Sequence, residues 1–119
     1  MAEINPVVGL EGPGRCFRVT WTGLANGDTG TPVSFPGAAD VTVQVLGTFG
    51  TGGTVNLQGC LQKTPVDYFS LKDPQGNAMT YTSSDAEMVS QVTAHMRPNI
   101  TAGDGSTDLT VIALFRSTM

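Results

Sequence analysis

The sequence predicts an all-β fold: a single-domain β-sandwich of about eight strands, with an extended N-terminal arm. Three observations predict it. Apolar and polar residues alternate in short runs, most cleanly where Val41, Val43 and Val45 interleave with Thr42 and Gln44, the period-two pattern of a strand with one buried face. Clusters of Gly, Asn, Asp and Pro separate these runs at short, regular spacing, as they do in sandwiches and barrels. No segment carries a convincing helical pattern.

Residues 1–14 read as the arm, because Pro6, Gly9, Gly12, Pro13 and Gly14 punctuate it while Ile4, Val7, Val8 and Leu10 make it apolar. Such a segment either closes an edge of its own sheet or reaches onto a neighbour. Residues 15–119 form the sandwich domain. Its first strand runs from Cys16 to Trp21, with Phe17, Val19 and Trp21 on one face and Arg18 and Thr20 on the other. A turn-rich loop follows from Thr22 to Gly30, and then a short edge segment at Val33 and Phe35 between prolines. The strand at Val41–Val45 and the one at Thr54–Gln58, joined through Gly50-Thr51-Gly52-Gly53, suggest a hairpin.

Val66 to Leu71 reads as a short strand with Phe69 and Leu71 on one face. Asp73-Pro74-Gln75-Gly76 fits a type I turn, and Met79 and Tyr81 alternate with threonines beyond it. Ser84-Asp85-Ala86-Glu87 has capping-box spacing, so at most one helical turn is expected there before Val89 and Val92 return the chain to β-formers. The last pair of strands, His95–Thr101 and Leu109–Arg116, is joined by Ala102-Gly103-Asp104-Gly105-Ser106, with glycines where positive φ is expected. Leu109, Val111, Ala113 and Phe115 share one face of the final strand and Ile112 and Leu114 the other, so that strand is central or covered by a partner. The expected core is Phe17, Val19, Trp21, Val43, Val45, Val55, Leu57, Phe69, Leu71, Tyr81, Val111 and Phe115.

A chain of 119 residues can bury a real core without metals or disulfides. Charged residues make up 13% of it and the net charge is −4, with the six Lys and Arg scattered singly, which argues against nucleic acid as a direct partner. No apolar run approaches a membrane span, and Met1 to Pro6 does not read as a secretory signal, so neither a membrane nor a secretory route is expected. Cys16 and Cys60 read as buried free thiols, with a disulfide as the alternative.

The residues that bear chemistry do not assemble into a recognisable catalytic, metal or cofactor motif, and the chain is not expected to be an enzyme. Asp28-Thr29-Gly30 matches the tripeptide of aspartic proteases, in which two aspartates share a proton. Yet Ala25-Asn26-Gly27 precedes it where an apolar strand belongs, so a turn residue is the better reading and a dimeric protease a remote one. Asp104 and Asp108 near Asn99 lack calcium-loop spacing. His95 has no evident nucleophile or orienting acid, and Asn99-Ile100-Thr101 fits a glycosylation acceptor without a secretory context. Trp21, Tyr68 and Tyr81 would serve a carbohydrate-binding module if they lined one exposed face, although core packing is the better account of Trp21.

Several runs resemble a group of small virion proteins of tailed bacteriophages and prophages. They are Trp21-Thr22-Gly23-Leu24-Ala25-Asn26-Gly27-Asp28-Thr29-Gly30, Val43-Gln44-Val45-Leu46-Gly47-Thr48-Phe49-Gly50, Asp73-Pro74-Gln75-Gly76-Asn77-Ala78, and Arg97-Pro98 followed by Thr101-Ala102-Gly103-Asp104-Gly105. The resemblance spans about residues 20 to 114 and departs at Gly59–Pro65, where similar sequences carry a Gly-Ser-Asn-Asp-Gly-type turn. It implies a virion structural protein made in the host cytoplasm, most like a head decoration (cement) protein bound to the major capsid protein, or else a tail or neck component. A homotrimer or another small homo-oligomer is expected on that reading. The arm residues Ile4, Pro6, Val7, Val8 and Leu10 would touch the capsid or a neighbour, and deleting the arm would leave the domain folded.

Overall fold

The computed structural model describes residues 2–11, 16–34 and 38–117. Within them the chain forms eleven strands and no helix: β1 (Glu3–Ile4), β2 (Val7–Glu11), β3 (Cys16–Leu24), β4 (Thr29–Gly30), β5 (Ala38–Thr48), β6 (Thr54–Cys60), β7 (Phe69–Ser70), β8 (Thr80–Tyr81), β9 (Asp85–Met88), β10 (His95–Ala102) and β11 (Asp108–Ser117). They build two sheets. One has the order β1-β4-β10-β6-β7, with β8 also paired to β6; the other is β2-β3-β11-β5-β9. Pairing is antiparallel except for β1 beside β4. This is the expected sandwich.

The inner faces hold the core. Val19 and Trp21 of β3, Val41, Val43 and Val45 of β5, Val55 and Leu57 of β6, Met96 and Ile100 of β10, and Leu109, Val111, Ala113 and Phe115 of β11 are all buried, as are Leu71, Met79, Tyr81 and Val89. Trp21 is fully buried, and its indole N–H donates to the carbonyl of Thr31 at 3.1 Å. Gly30 has to be a glycine here, because a Cβ on it would lie 2.6 Å from both the Trp21 ring and Pro98. Trp21→Ala is therefore expected to cost about 3–5 kcal/mol, measured by urea denaturation, through the large void it leaves.

Several expectations are corrected. The strands at Val41–Val45 and Thr54–Gln58 do not form a hairpin: β5 pairs with β11 and β9, and β6 with β10, β7 and β8. Alternation reveals a buried face without revealing which layer contains it, and residues 49–53 carry the chain from one sheet to the other. The same holds for β10 and β11, which lie in different sheets. Gly103 and Gly105 do not adopt positive φ, whereas Gly50 and Gly52 do. The 103–107 loop is instead shaped by side chains, with Thr107 Oγ1 accepting from the Asp104 N–H at 2.9 Å and donating to the Phe49 carbonyl at 2.8 Å.

The segment with capping-box spacing lies in strand β9, drawn into an edge by its ladder with β5. Of the expected strand at Val66–Leu71 only Phe69–Ser70 pairs. Phe69 is exposed (36%) and is not core, because Leu71 and Thr93 already fill the space over Gly59, the residue opposite it. Phe17 is half-buried and packs against the core from the end of β3. The turn at Asp73–Gly76 forms as expected, closed by Gly76 N–H to the Asp73 carbonyl at 2.9 Å. Phe35 lies outside the described residues, and Val33 makes a single bridge to Met96.

Candidate functional site

The residues singled out for chemistry are occupied with holding the fold. Asp28 is buried (7%) at the end of the 24–28 turn. Its carboxylate accepts from the backbone N–H groups of Ala2, at 3.0 Å, and Ala25, at 2.9 Å. A carboxylate satisfied by backbone donors closes a turn and fastens the N-terminal segment, and it is not aimed into a cleft as a protease dyad would need. Asp28→Ala, which leaves two N–H groups without their acceptor, is expected to cost about 2 kcal/mol or more in urea melts.

Asp104 plays a similar part between two loops. Its carboxylate accepts from the Ser106 hydroxyl (2.7 Å), the Thr51 N–H (2.8 Å) and the Ser106 N–H (2.9 Å), tying together the segments that cross between sheets. Those donors hold it far below the usual carboxylate range. Among the described residues no group of three His, Cys, Asp or Glu is arranged to hold a metal ion.

The three aromatic residues do not share a surface. Trp21 is in the core. Tyr81 is buried with its hydroxyl donating to Glu87 at 3.1 Å, and Tyr68 has the Arg97 guanidinium 3.6 Å from its ring centre. Arg97 Nε also donates to Gln58 at 3.0 Å, and His95 Nε2 lies 3.1 Å from the Lys63 carbonyl. No carbohydrate platform is assembled from these side chains. Cys16 and Cys60 are both free, the first half-buried and the second buried.

The arm is built into its own chain over the described residues. β1 lies parallel to β4, fixed by Thr29 N–H to the Ala2 carbonyl (2.9 Å) and Thr31 N–H to the Ile4 carbonyl (2.8 Å). β2 then crosses to the other layer and pairs with β3 from Val7↔Thr20 to Glu11↔Cys16. Ile4 packs against the core, and Pro6 is half-buried between the exposed Asn5 and Val7 along the crossing. Val7 (72%) and Val8 (52%) stay exposed along β2, whose outer edge has no strand partner among the described residues. Because the arm supplies an edge to each sheet, its deletion is expected to cost stability, where the sequence alone suggests a domain indifferent to it.

A second exposed feature was legible only in part. The register places Val7, Thr20, Ile112, Gln44 and Ala86 in one row across the outer face of the five-stranded sheet, and Gly9, Arg18, Leu114, Thr42 and Met88 in the next. Leu114 (40%) and Met88 (44%) are exposed there. The centre of the face is an open depression of about 540 Å³ lined by Arg18, Thr20, Thr42, Gln44, Ala86, Ile112 and Leu114. The doubly apolar pattern of β11 signalled this face; Val7 and Met88 could not be added to it without the register.

Elsewhere the buried Asp73 and the half-buried Glu87 interact beside Tyr81. Burial and the Asp73 carboxyl push Glu87 up, with the Tyr81 hydroxyl pulling the other way. Burial acts to raise Asp73 too, but the N–H of Asn77, the Glu87 carboxyl and the N–H groups of Gln75 and Gly76 outweigh it and hold Asp73 low. A carboxyl raised in the fold takes up a proton the unfolded chain releases, so the Glu87 contribution to stability grows as pH falls through its raised value. Asp73 works oppositely, its contribution being lost only as pH falls through its lowered value. Glu87→Gln supplies permanently the donor that Glu87 has only when protonated. It is expected to raise the melting temperature near neutral pH, with the difference closing at about pH 4.

No protein-family model matches this chain, and no curated protein matches it in sequence. A solved structure shares its architecture. The SPBc2 prophage-derived protein YomS superposes with a TM-score of 0.62 at 10% identity, over 86% of this chain and 95% of YomS. Protein NMB1881 from Neisseria meningitidis gives a TM-score of 0.44 at 10% identity, over 94% of this chain and 82% of that one. CoII HppE in complex with Tris buffer gives 0.45 at 13% identity, over 92% and 52%. The likeness to YomS is one of fold.

Proposed function

We propose that this chain is a non-enzymatic structural protein of a tailed-phage particle, working as a head decoration (cement) protein that binds the major capsid protein and stabilises the expanded shell. The observation that carries the reading is the outer edge of β2, which has no strand partner among the described residues, on a strand that completes the chain's own sheet and leaves Val7 and Val8 exposed along its length. An unpaired edge with apolar side chains is a template for one more strand. The fold shared with a prophage-derived protein supports a phage setting for it.

On this reading Ile4 and Pro6 seat the arm, while Val7 and Val8 meet the neighbour. Main-chain hydrogen bonds from a capsid strand give affinity and the valines give the contact its register. Each contact is modest, but many copies on one shell act together. A protein that binds only the expanded shell stabilises that state by linkage.

The test is co-sedimentation with purified expanded shells. The wild-type protein is expected to pellet at a copy number near that of the shell subunit. Val8→Lys, which places a charge on the edge, is expected to weaken binding about tenfold while leaving the thermal melt unchanged. Retention of all the protein in the supernatant, or full binding by the lysine variant, would reject the assignment.

A further inference from the structure

The outer face of the five-stranded sheet has a pattern that matches itself under a twofold rotation. β11 is the middle strand, with β3 and β5 beside it and β2 and β9 at the edges. Across one row the residues run Val7, Thr20, Ile112, Gln44, Ala86, and across the next Gly9, Arg18, Leu114, Thr42, Met88. Both rows are apolar in the middle, polar on either side, and apolar or bare at the rims. We infer that this face is covered by a second copy of the chain, the two sheets packing face to face about a twofold axis that runs along β11.

The rotation exchanges β3 with β5 and β2 with β9. Ile112 and Leu114 then meet their own counterparts on the axis. Arg18 and Thr20 lie over Thr42 and Gln44 of the second copy, whose hydroxyl and amide oxygens accept hydrogen bonds from a guanidinium. At the rims the sizes complement one another. Val7 faces Ala86 of the second copy, and Met88 faces its Gly9, whose missing side chain leaves open space above it. Small against large at both rims is what close packing of two layers requires.

Geometry and area agree. An axis along a strand keeps the two strand directions aligned, which is the common arrangement of packed sheets. A twisted sheet is saddle-shaped, hollow along one diagonal and raised along the other. The depression of about 540 Å³ at the centre of one face therefore receives the raised diagonal of the other. Five strands about 4.8 Å apart, over roughly eight residues of about 3.4 Å each, give a face on the order of 600 Å² before side-chain relief is counted. That approaches the roughly 800 Å² per partner of a standard stable interface.

The pairing deepens the structural role proposed above, on which it rests for its setting, and shares with it only the Val7 side chain, which stands on the outer face. The face of the sheet is covered while the in-plane edge of β2 stays open. Sedimentation equilibrium of the full chain is expected to show a dimer at micromolar concentration. Leu114→Glu, which buries a charge against its own copy, is expected to raise the dimer dissociation constant about 100-fold or more with the thermal melt retained. Val92→Glu, at an exposed apolar residue outside the two rows, is expected to leave the dimer intact.

Single-cysteine chains in a Cys16→Ser, Cys60→Ala background separate this dimer from any other. With a short bismaleimide, Leu114→Cys is expected to cross-link to itself, and Met88→Cys to cross-link with Gly9→Cys but not with itself. A monomeric wild type, a dimer indifferent to Leu114→Glu, or self-cross-linking of Met88→Cys would overturn the inference. A monomer that still coats shells would sink the pairing alone, and a dimer that ignores shells would sink only the decoration role.

Discussion

Strand β11 has ladder partners along both edges and apolar side chains on both faces, and the rest of the molecule is arranged around that constraint. Leu109, Val111, Ala113 and Phe115 face the core, and every one of them is buried. Their backbone groups are satisfied by β3 on one side and β5 on the other. A strand so placed cannot slip by one residue without turning its buried set to solvent. The registers of β3 and β5, and through them those of β2 and β9, follow from it. The second sheet then closes over the apolar layer that these strands share.

The loops keep the two layers in correspondence. The chain crosses between sheets at residues 49–53 and again at 103–107, and Asp104 joins the two crossings through Thr51. Asp28 does the same for the N-terminal segment through Ala2. Carboxylates are apt for this work because each accepts several backbone donors that a loop cannot otherwise satisfy. The aspartates that suggested chemistry in the sequence are thus fasteners of the fold. Exposed apolar surface is left at the edge of β2, on the outer face around β11, and at scattered loop residues such as Leu61, Val66 and Val92.

Much of the fold was legible from residue pattern. Alternation located β3, β5, β6 and β11, and the Asp73–Gly76 turn was readable from turn chemistry alone. The buried positions of Trp21, Val43, Leu57 and Val111 followed from the same period. The failures have one cause, which is that local signals lose to distant contacts. Ser84–Glu87 carries a local signal for a helix start, and the ladder to β5 overrides it. Phe69 has the right character for a core residue, but Leu71 and Thr93 already fill the space over Gly59, its partner across the ladder. The apolar outer face was half visible: β11 showed an apolar outer side, while Val7 and Met88, about eighty residues apart in sequence, gave no sign of lying on the same face.

What the sequence determined by itself is which side chains seek the interior and where the chain turns, because both depend on neighbours two to four residues away. Only the tertiary structure decided which strands share a sheet, that the arm closes both layers of its own chain, and that the turns after β5 and β10 cross between layers instead of folding hairpins. Those outcomes depend on contacts between residues far apart in the chain, and alternation is the same whichever partner a strand finds.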